Sequence, residues 1–206
     1  MRLDDTIITP NPVASLSRLA PLRIGAVTLV VRDLHLVGDF YQQVLGLRVI
    51  DKGKSTLRLG AGSQVLLELR EDPSARRRSP REAGLFHTAF LLPTRTDLAN
   101  WLSHVARHRV PILGASDHLV SEAVYLADPE GNGIEVYADR AVEAWPRHGT
   151  SVDMPSLPLD LDALVGLGGE KPWREVPQGT SSGMYTCKLV TSRLRSGSTP
   201  RFWALP

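Results

Sequence analysis

The chain has 206 residues, 42% of them hydrophobic, which is enough for one large or two small domains with a buried core. The 24 Lys and Arg nearly balance the 22 Asp and Glu, so the composition gives no indication of nucleic-acid binding. A single cysteine, Cys187, excludes an internal disulfide framework. The opening residues carry acidic side chains and prolines where a signal peptide needs an apolar run, and no apolar run approaches the length of a membrane span. These features predict a cytoplasmic, globular protein without a membrane partner.

The first repeated unit begins with a β-branched run at residues 24–31. Apolar residues then recur at helical spacing from Phe40 to Leu47, and Gly46 is a natural helix stop. Short strand-like segments separated by glycines follow, which gives the order β-α-β-β-β. The predicted strands after the helix are residues 47–51, 56–59 and 64–69.

The second unit repeats this order. A strand is predicted at residues 85–92, and an amphipathic helix follows with Leu98, Trp101 and Val105 on its apolar face. Three further strands are predicted at residues 110–113, 122–126 and 133–137. The sequence therefore predicts an α+β fold in which two βαβββ modules form paired, curled mixed sheets around a cleft.

The remaining segments divide the chain further. They are predicted as an N-terminal extension at 1–20, a first module at 21–72, a linker at 73–84, a second module at 85–140, a linker with a short helix at 159–167 within 141–180, and an irregular tail at 181–206.

Alignment of the two modules on their first strands places Ala26 opposite His87, and alignment on their last strands places Glu68 opposite Glu135. Two such sheets packed side by side would turn all four positions towards one hollow. Carboxylate and imidazole groups in a cleft are typical of a divalent-metal site.

Two stretches carry a resemblance to a known family. LVVRDLHLVGDFYQQVLGL is similar to the opening of vicinal-oxygen-chelate modules, and the second module resembles that of bacterial catechol 2,3-dioxygenases over GLFHTAFLLPTRTDLANWL and ASDHLVSEAVYLADPEGNGIEVYADR. The extradiol-dioxygenase pattern is present as His118, Tyr125, the turn Asp128-Pro129-Glu130-Gly131, and Glu135, with a departure at Ser116. The resemblance covers roughly residues 21–140 and is to the N-terminal half of such an enzyme.

The resemblance implies an extradiol ring-cleaving dioxygenase that holds Fe(II), or Mn(II), through two histidines and one carboxylate and acts on a catecholic substrate. His87 and Glu135 match metal ligands, and His118 and Tyr125 match catalytic groups that hydrogen-bond substrate and oxygen. Each residue also has a structural alternative. His87 could be a satisfied core histidine, Glu135 could face solvent, His118 could lie in a surface loop, and Tyr125 could be a buried aromatic.

One departure leaves other functions open. The first ligand histidine of the family is Ala26 here, and alanine has no donor atom, so a third ligand would have to come from elsewhere and this product could be inactive. One alternative is a metal-free small-molecule-binding module of the bleomycin-resistance kind. Another is a glyoxalase-type metal isomerase that uses Glu68, although its pattern also needs a histidine at position 26.

The tail is rich in Ser, Thr and Arg, and its apolar residues recur with neither a helical nor a strand period, whereas the family pattern continues into a third module. Back-translation from Ser181 with freely chosen synonymous codons, read in a shifted frame, yields IGHVHL and then FYAAVLG, another module opening. We therefore expect that a frameshift near residues 179–182 truncated a four-module dioxygenase; the alternative is a genuine, disordered C-terminal tail. A chain that lost two modules would expose apolar sheet surface, which predicts a homo-oligomer.

Overall fold

The structure is a computed structural model that describes residues 24–77, 79, 82–169, 172–183 and 186–188. The predicted N-terminal extension and most of the predicted tail lie outside the described residues. Among the helices of the described part of the chain, none is long and apolar enough to cross a membrane.

The first module has the predicted order of elements. Strand β1 (Val27–Val31) leads into helix α1 (Leu34–Phe40), which Asp33 caps, and the helix continues as a π-helical turn at Tyr41–Leu45. Gly46 ends this turn with a φ of 80°, a left-handed conformation that favours glycine. The other strands of the sheet are β2 (Arg48–Lys52), β3 (Thr56–Ala61) and β4 (Gln64–Glu71). The sheet has the order β1-β4-β3-β2, in which β1 is parallel to β4 and the other pairs are antiparallel.

The second module repeats this arrangement. Strand β5 (Gly84–Leu91) is followed by helix α2 (Arg95–Arg107), and β5 is parallel to the last strand of the module. The prediction of a strand at 110–113 is wrong, because Val110 N–H still bonds to the carbonyl of Val105 and Pro111 has no N–H to donate. The strand begins at Gly114 instead. The other strands are β6 (Gly114–Asp117), β7 (Ser121–Ala127) and β8 (Gly133–Asp139).

The register between first and last strands is the same in both modules. Thr28 lies opposite Glu68, and Ala89 lies opposite Glu135. Ala26 lies two positions before Thr28, and His87 lies two positions before Ala89, so the equivalence of Ala26 with His87 and of Glu68 with Glu135 expected from the sequence is confirmed. The α+β fold with mixed βαβββ sheets is confirmed as well.

The two modules meet on their helical sides in one shared core. The indole N–H of Trp101 on α2 donates to the carbonyl of Val44 at 2.9 Å, and the rings of Tyr41 and Phe90 are 6.2 Å apart. The carboxylate of Glu130, in the turn before β8, accepts the backbone N–H groups of Arg32 and Asp33 at 2.8–3.0 Å. The family turn therefore ties the second module to the start of α1.

The segment after β8 returns along both modules. A 3₁₀ turn (Val142–Ala144) leads to a small hairpin, and a short strand then pairs with the edge strand β6. The helix predicted at 159–167 is shorter than expected but packs against α2 through the buried side chain of Leu164. Two more strands lie antiparallel along the outer edge of β5. These elements are β9 (Arg147–His148), β10 (Ser151–Val152), β11 (Leu157–Pro158), α3 (Leu161–Val165), β12 (Ser181–Ser182) and β13 (Thr186–Lys188).

Candidate functional site

The site lies on the face of the second sheet that is turned away from α2. Along β8, Ile134, Val136 and Ala138 are buried in the core, while the alternate residues, among them Glu135, point to the other face and are only partly buried. Glu135 has Ala89 of β5 on one side and Tyr125 of β7 on the other. Strand alternation therefore settles the orientation of Glu135, which sequence alone left open.

His87 and Glu135 meet on this face. His87 Nε2 lies 2.8 Å from Glu135 Oε2, and the two side chains are only 9% and 14% exposed. The contact is short, yet the buried Nε2 atom has no hydrogen-bond partner of acceptable geometry. A buried donor atom left unsatisfied is costly unless something else binds it. The two atoms lie within ion-pair distance, and an imidazole nitrogen and a carboxylate oxygen that converge in this way also fit a shared cation.

A chain of hydrogen bonds continues from Glu135. Tyr125 Oη lies 3.0 Å from Glu135 Oε1 and 3.0 Å from His118 Nε2. His118 Nδ1 lies 2.8 Å from the carbonyl oxygen of Pro155, which holds the ring in place. The structure thus brings together the four residues singled out from the sequence, His87, His118, Tyr125 and Glu135.

The proton count along this chain is informative. A carbonyl only accepts, so His118 Nδ1 must carry the proton that bonds to Pro155. Tyr125 has a single hydroxyl proton and cannot donate to both of its neighbours. If it donates to Glu135, its oxygen accepts from a doubly protonated His118; if His118 is neutral, Tyr125 donates to His118 Nε2 instead. This hydrogen-bond network can therefore hold a proton either on His118 Nε2, with Tyr125 donating to Glu135, or on the Glu135 side, with Tyr125 donating to His118.

Tyr125 itself is held in its protonated form. Burial, and then the nearby carboxylate of Glu135, raise the pKa of Tyr125 well above its usual range. The hydroxyl is therefore a donor over the whole physiological pH range, not a phenolate.

Two cavities meet at this cluster, and both are lined by His87, His118 and Tyr125. The smaller cavity, of about 270 Å³, also contains Glu135 and the aromatic side chains of Tyr137 and Trp145. The larger has a volume of about 590 Å³, which lies in the range of small-molecule sites.

Comparisons with known proteins identify the family. The sequence profile of the Glyoxalase/Bleomycin resistance protein/Dioxygenase superfamily matches residues 23–136. The chain belongs to this superfamily. It is 40% identical over 164 residues to a catechol-2,3-dioxygenase of Bacillus subtilis, a match that covers 78% of this chain and 57% of that protein. The chain thus spans little more than half the length of this relative.

Solved structures of the superfamily fold are also similar. The cppA protein of Streptococcus pneumoniae superposes with a TM-score of 0.53 at 19% identity, covering 76% of this chain and 58% of that one. A glyoxalase/dioxygenase from Nostoc punctiforme has a TM-score of 0.49 at 19% identity, covering 64% of this chain and 99% of that one.

Glu68, the position equivalent to Glu135 in this superfamily chain, is engaged otherwise. Its carboxylate accepts from Arg58 Nε at 2.8 Å and from Arg70 Nε at 2.6 Å. These hydrogen bonds, Arg58 first, lower the pKa of Glu68. Glu68 does not line either cavity that contains His87.

A complete metal-binding set is missing from the described residues, in which no three His, Cys, Asp or Glu side chains lie close enough together to hold a metal ion. The outer edge of β5 is where a further group could reach the pair. Gly183 N–H donates to the carbonyl of Ala89 at 2.9 Å there, and a Cβ atom on Gly183 would meet the side chain of Tyr137. A side chain at position 183 would therefore point to the site face.

Some residues of the site were not identified from the sequence. Tyr137 lies two positions after Glu135, so the period of two would have placed it on the same face. Pro155, which fixes His118, lies 37 residues away in a segment without a sequence motif. No local signal identifies such a contact.

Proposed function

We propose that this chain is the ligand-bearing half of an extradiol ring-cleaving dioxygenase of the catechol 2,3-dioxygenase type, dependent on Fe(II). The observation that carries the proposal is the convergence of His87 Nε2 and Glu135 Oε2 at 2.8 Å beside the Tyr125–His118 hydrogen-bond chain. The B. subtilis relative supplies the reaction type, and the partial coverage of that protein makes its activity a proposal here.

His87 and Glu135 would hold the metal, in agreement with the mixed nitrogen and carboxylate donors that Fe(II) and Mn(II) accept. When bound, the metal would bring the catechol and dioxygen together and favour oxygen insertion beside the hydroxyl pair. Both donors are largely buried, so water would compete weakly for them. The third ligand would come from outside the pair, because position 26 is alanine.

The residues beside the pair would manage protons. A catechol must lose protons as it binds, and the ring-opened product must regain one. Tyr125 is kept protonated, and its hydroxyl can donate to His118 or to Glu135. His118 is anchored through Nδ1, which leaves Nε2 as the nitrogen that gives or takes the proton.

A second function has its own support. A metal-free binding module of the bleomycin-resistance kind would need only a cleft, and Ala26 together with the 590 Å³ cavity fits that role. A glyoxalase-type isomerase has weaker support, because it would use Glu68 as a metal ligand and the carboxylate of Glu68 forms ion pairs with Arg58 and Arg70.

Added imidazole tests the proposal. The purified chain is loaded with Fe(II) without oxygen, mixed with catechol and air, and assayed for oxygen uptake and loss of the aromatic absorbance. We expect slow ring cleavage that free imidazole accelerates in a saturable way, since imidazole can fill a missing ligand position. His87→Ala should abolish this response, and Glu68→Gln is the matched control. If oxygen uptake is the same in the wild type and in His87→Ala, the dioxygenase proposal fails and the binding module is favoured.

We further expect the chain to self-associate, as proposed from its sequence. Val30, on the first sheet, is 56% exposed, and Val49 on the same sheet is 45% exposed. Sedimentation at several protein concentrations would measure this association.

A further inference from the structure

The larger cavity is lined mainly by apolar and uncharged polar residues, together with His87 and His118. Its lining includes the exposed apolar side chains of Phe86 and Leu113 together with Ser116 and Ser156, while Leu126 and Ile134, whose side chains are buried in the core, border it along their strands. Among the described residues that line it, none is Asp, Glu, Lys or Arg. The smaller cavity differs, because the carboxylates of Glu135 and Asp139 both line it.

Two large apolar side chains stand at the larger cavity without being buried. Phe86 is 51% exposed and lies on β5, with its ring 5.2 Å from that of His87. Leu113 is 72% exposed and is held beside Tyr125, since its N–H donates to the Tyr125 carbonyl at 2.7 Å. Phe86 on β5 and Leu113 in the loop before β6 therefore both border His87 and Tyr125. An apolar group placed between them would remove both from water, which is favourable in proportion to the area covered.

The positions of the two catechol hydroxyls determine which cavity a substituent on the ring would enter. The ring is small, and its two hydroxyls must face His87, Tyr125 and His118 if those residues handle metal and protons. A ring held there contacts residues that both cavities share, whereas Glu135 lines only the smaller cavity. A ring substituent that extends away from Glu135 therefore enters the larger cavity.

We propose that Phe86 and Leu113 form a substituent pocket that selects catechols carrying an uncharged, apolar group over catechols carrying a carboxylate. This inference rests on the proposed function, since it takes the ring to be a catechol. Among the described residues that line this pocket, no Lys or Arg is available to pair with a carboxylate, and even partial burial of an unpaired charge is unfavourable.

The test compares two catechols of similar size. Dissociation constants of 4-tert-butylcatechol and 3,4-dihydroxybenzoate are measured by calorimetry with the Fe(II)-loaded chain in the absence of oxygen, with unsubstituted catechol as the reference. We expect 4-tert-butylcatechol to bind at least about tenfold tighter than 3,4-dihydroxybenzoate. Leu113→Arg introduces a cation at an exposed position and should reduce this preference by about tenfold or reverse it.

Leu36→Arg is the matched control. Leu36 is 52% exposed on α1 and does not line the cavity, so this variant should keep the wild-type preference. Equal affinity for the two substituted catechols, or the same preference in Leu113→Arg as in wild type, overturns the pocket while leaving the dioxygenase proposal intact. Absence of binding by all three catechols instead overturns the proposed function, and the pocket with it.

Discussion

Glu130 offers a way to test the architecture separately from the site. Its carboxylate joins the second module to the start of α1 by accepting the N–H groups of Arg32 and Asp33. A hydrogen bond to a charged group contributes about 1.5–3 kcal/mol, and an anion at a helix N-terminus adds some tenths. Because these hydrogen bonds are solvent-exposed, we expect Glu130→Ala to lower the free energy of unfolding by about 1–2 kcal/mol in total.

The assay is thermal unfolding followed by circular dichroism. For a chain of this size the loss corresponds to a decrease in Tm of about 3–6 °C. Glu130→Gln keeps one acceptor oxygen without the charge and should lose about half as much. Glu143→Ala removes an exposed carboxylate and is the control. If Glu130→Ala and Glu143→Ala unfold at the same temperature, the turn does not hold the modules together and the reasoning is refuted.

Three further predictions concern individual groups. Because the pKa of Glu68 is lowered in the folded state, its ionised carboxylate stabilises the fold at neutral pH, and this contribution is lost as the pH falls through the folded pKa. In Glu68→Gln, the free energy of unfolding measured by urea titration should therefore decrease less than in the wild type below about pH 4. Tyr125→Phe should bind metal like wild type but lose most ring-cleaving activity, whereas equal loss of both would show that Tyr125 acts on the fold. Gly183→His combined with Tyr137→Ala should raise affinity for Co(II) at least about tenfold over Tyr137→Ala alone, measured by visible absorbance; no gain would show that position 183 does not face His87.

Much of the fold could be predicted from the sequence because its elements have strong local signals. The alternation of apolar residues in β8 identifies its buried face, and the helical spacing through Trp101 identifies the buried face of α2. Gly46 marks a turn that needs a positive φ. The repeat then predicted the equal register that places Glu68 and Glu135 at matching positions.

The remaining features depend on contacts between distant residues. Glu68 and Glu135 have the same register, but only Glu68 has arginines two positions along its own strand and on the neighbouring one. The anchoring of His118 by Pro155 depends on the path of the segment after β8. Residues 181–182 and 186–188 have no strand period in sequence, yet they pair with the free edge of β5, where backbone hydrogen bonding needs no side-chain pattern.

The most direct test of the central claim is a titration of Fe(II) into the chain without oxygen, followed by calorimetry. If His87 and Glu135 form a metal pair, the wild type binds one ion, and His87→Ala and Glu135→Ala each weaken binding at least about tenfold, while His118→Ala does not. Equal binding by the wild type, His87→Ala and Glu135→Ala would contradict the account.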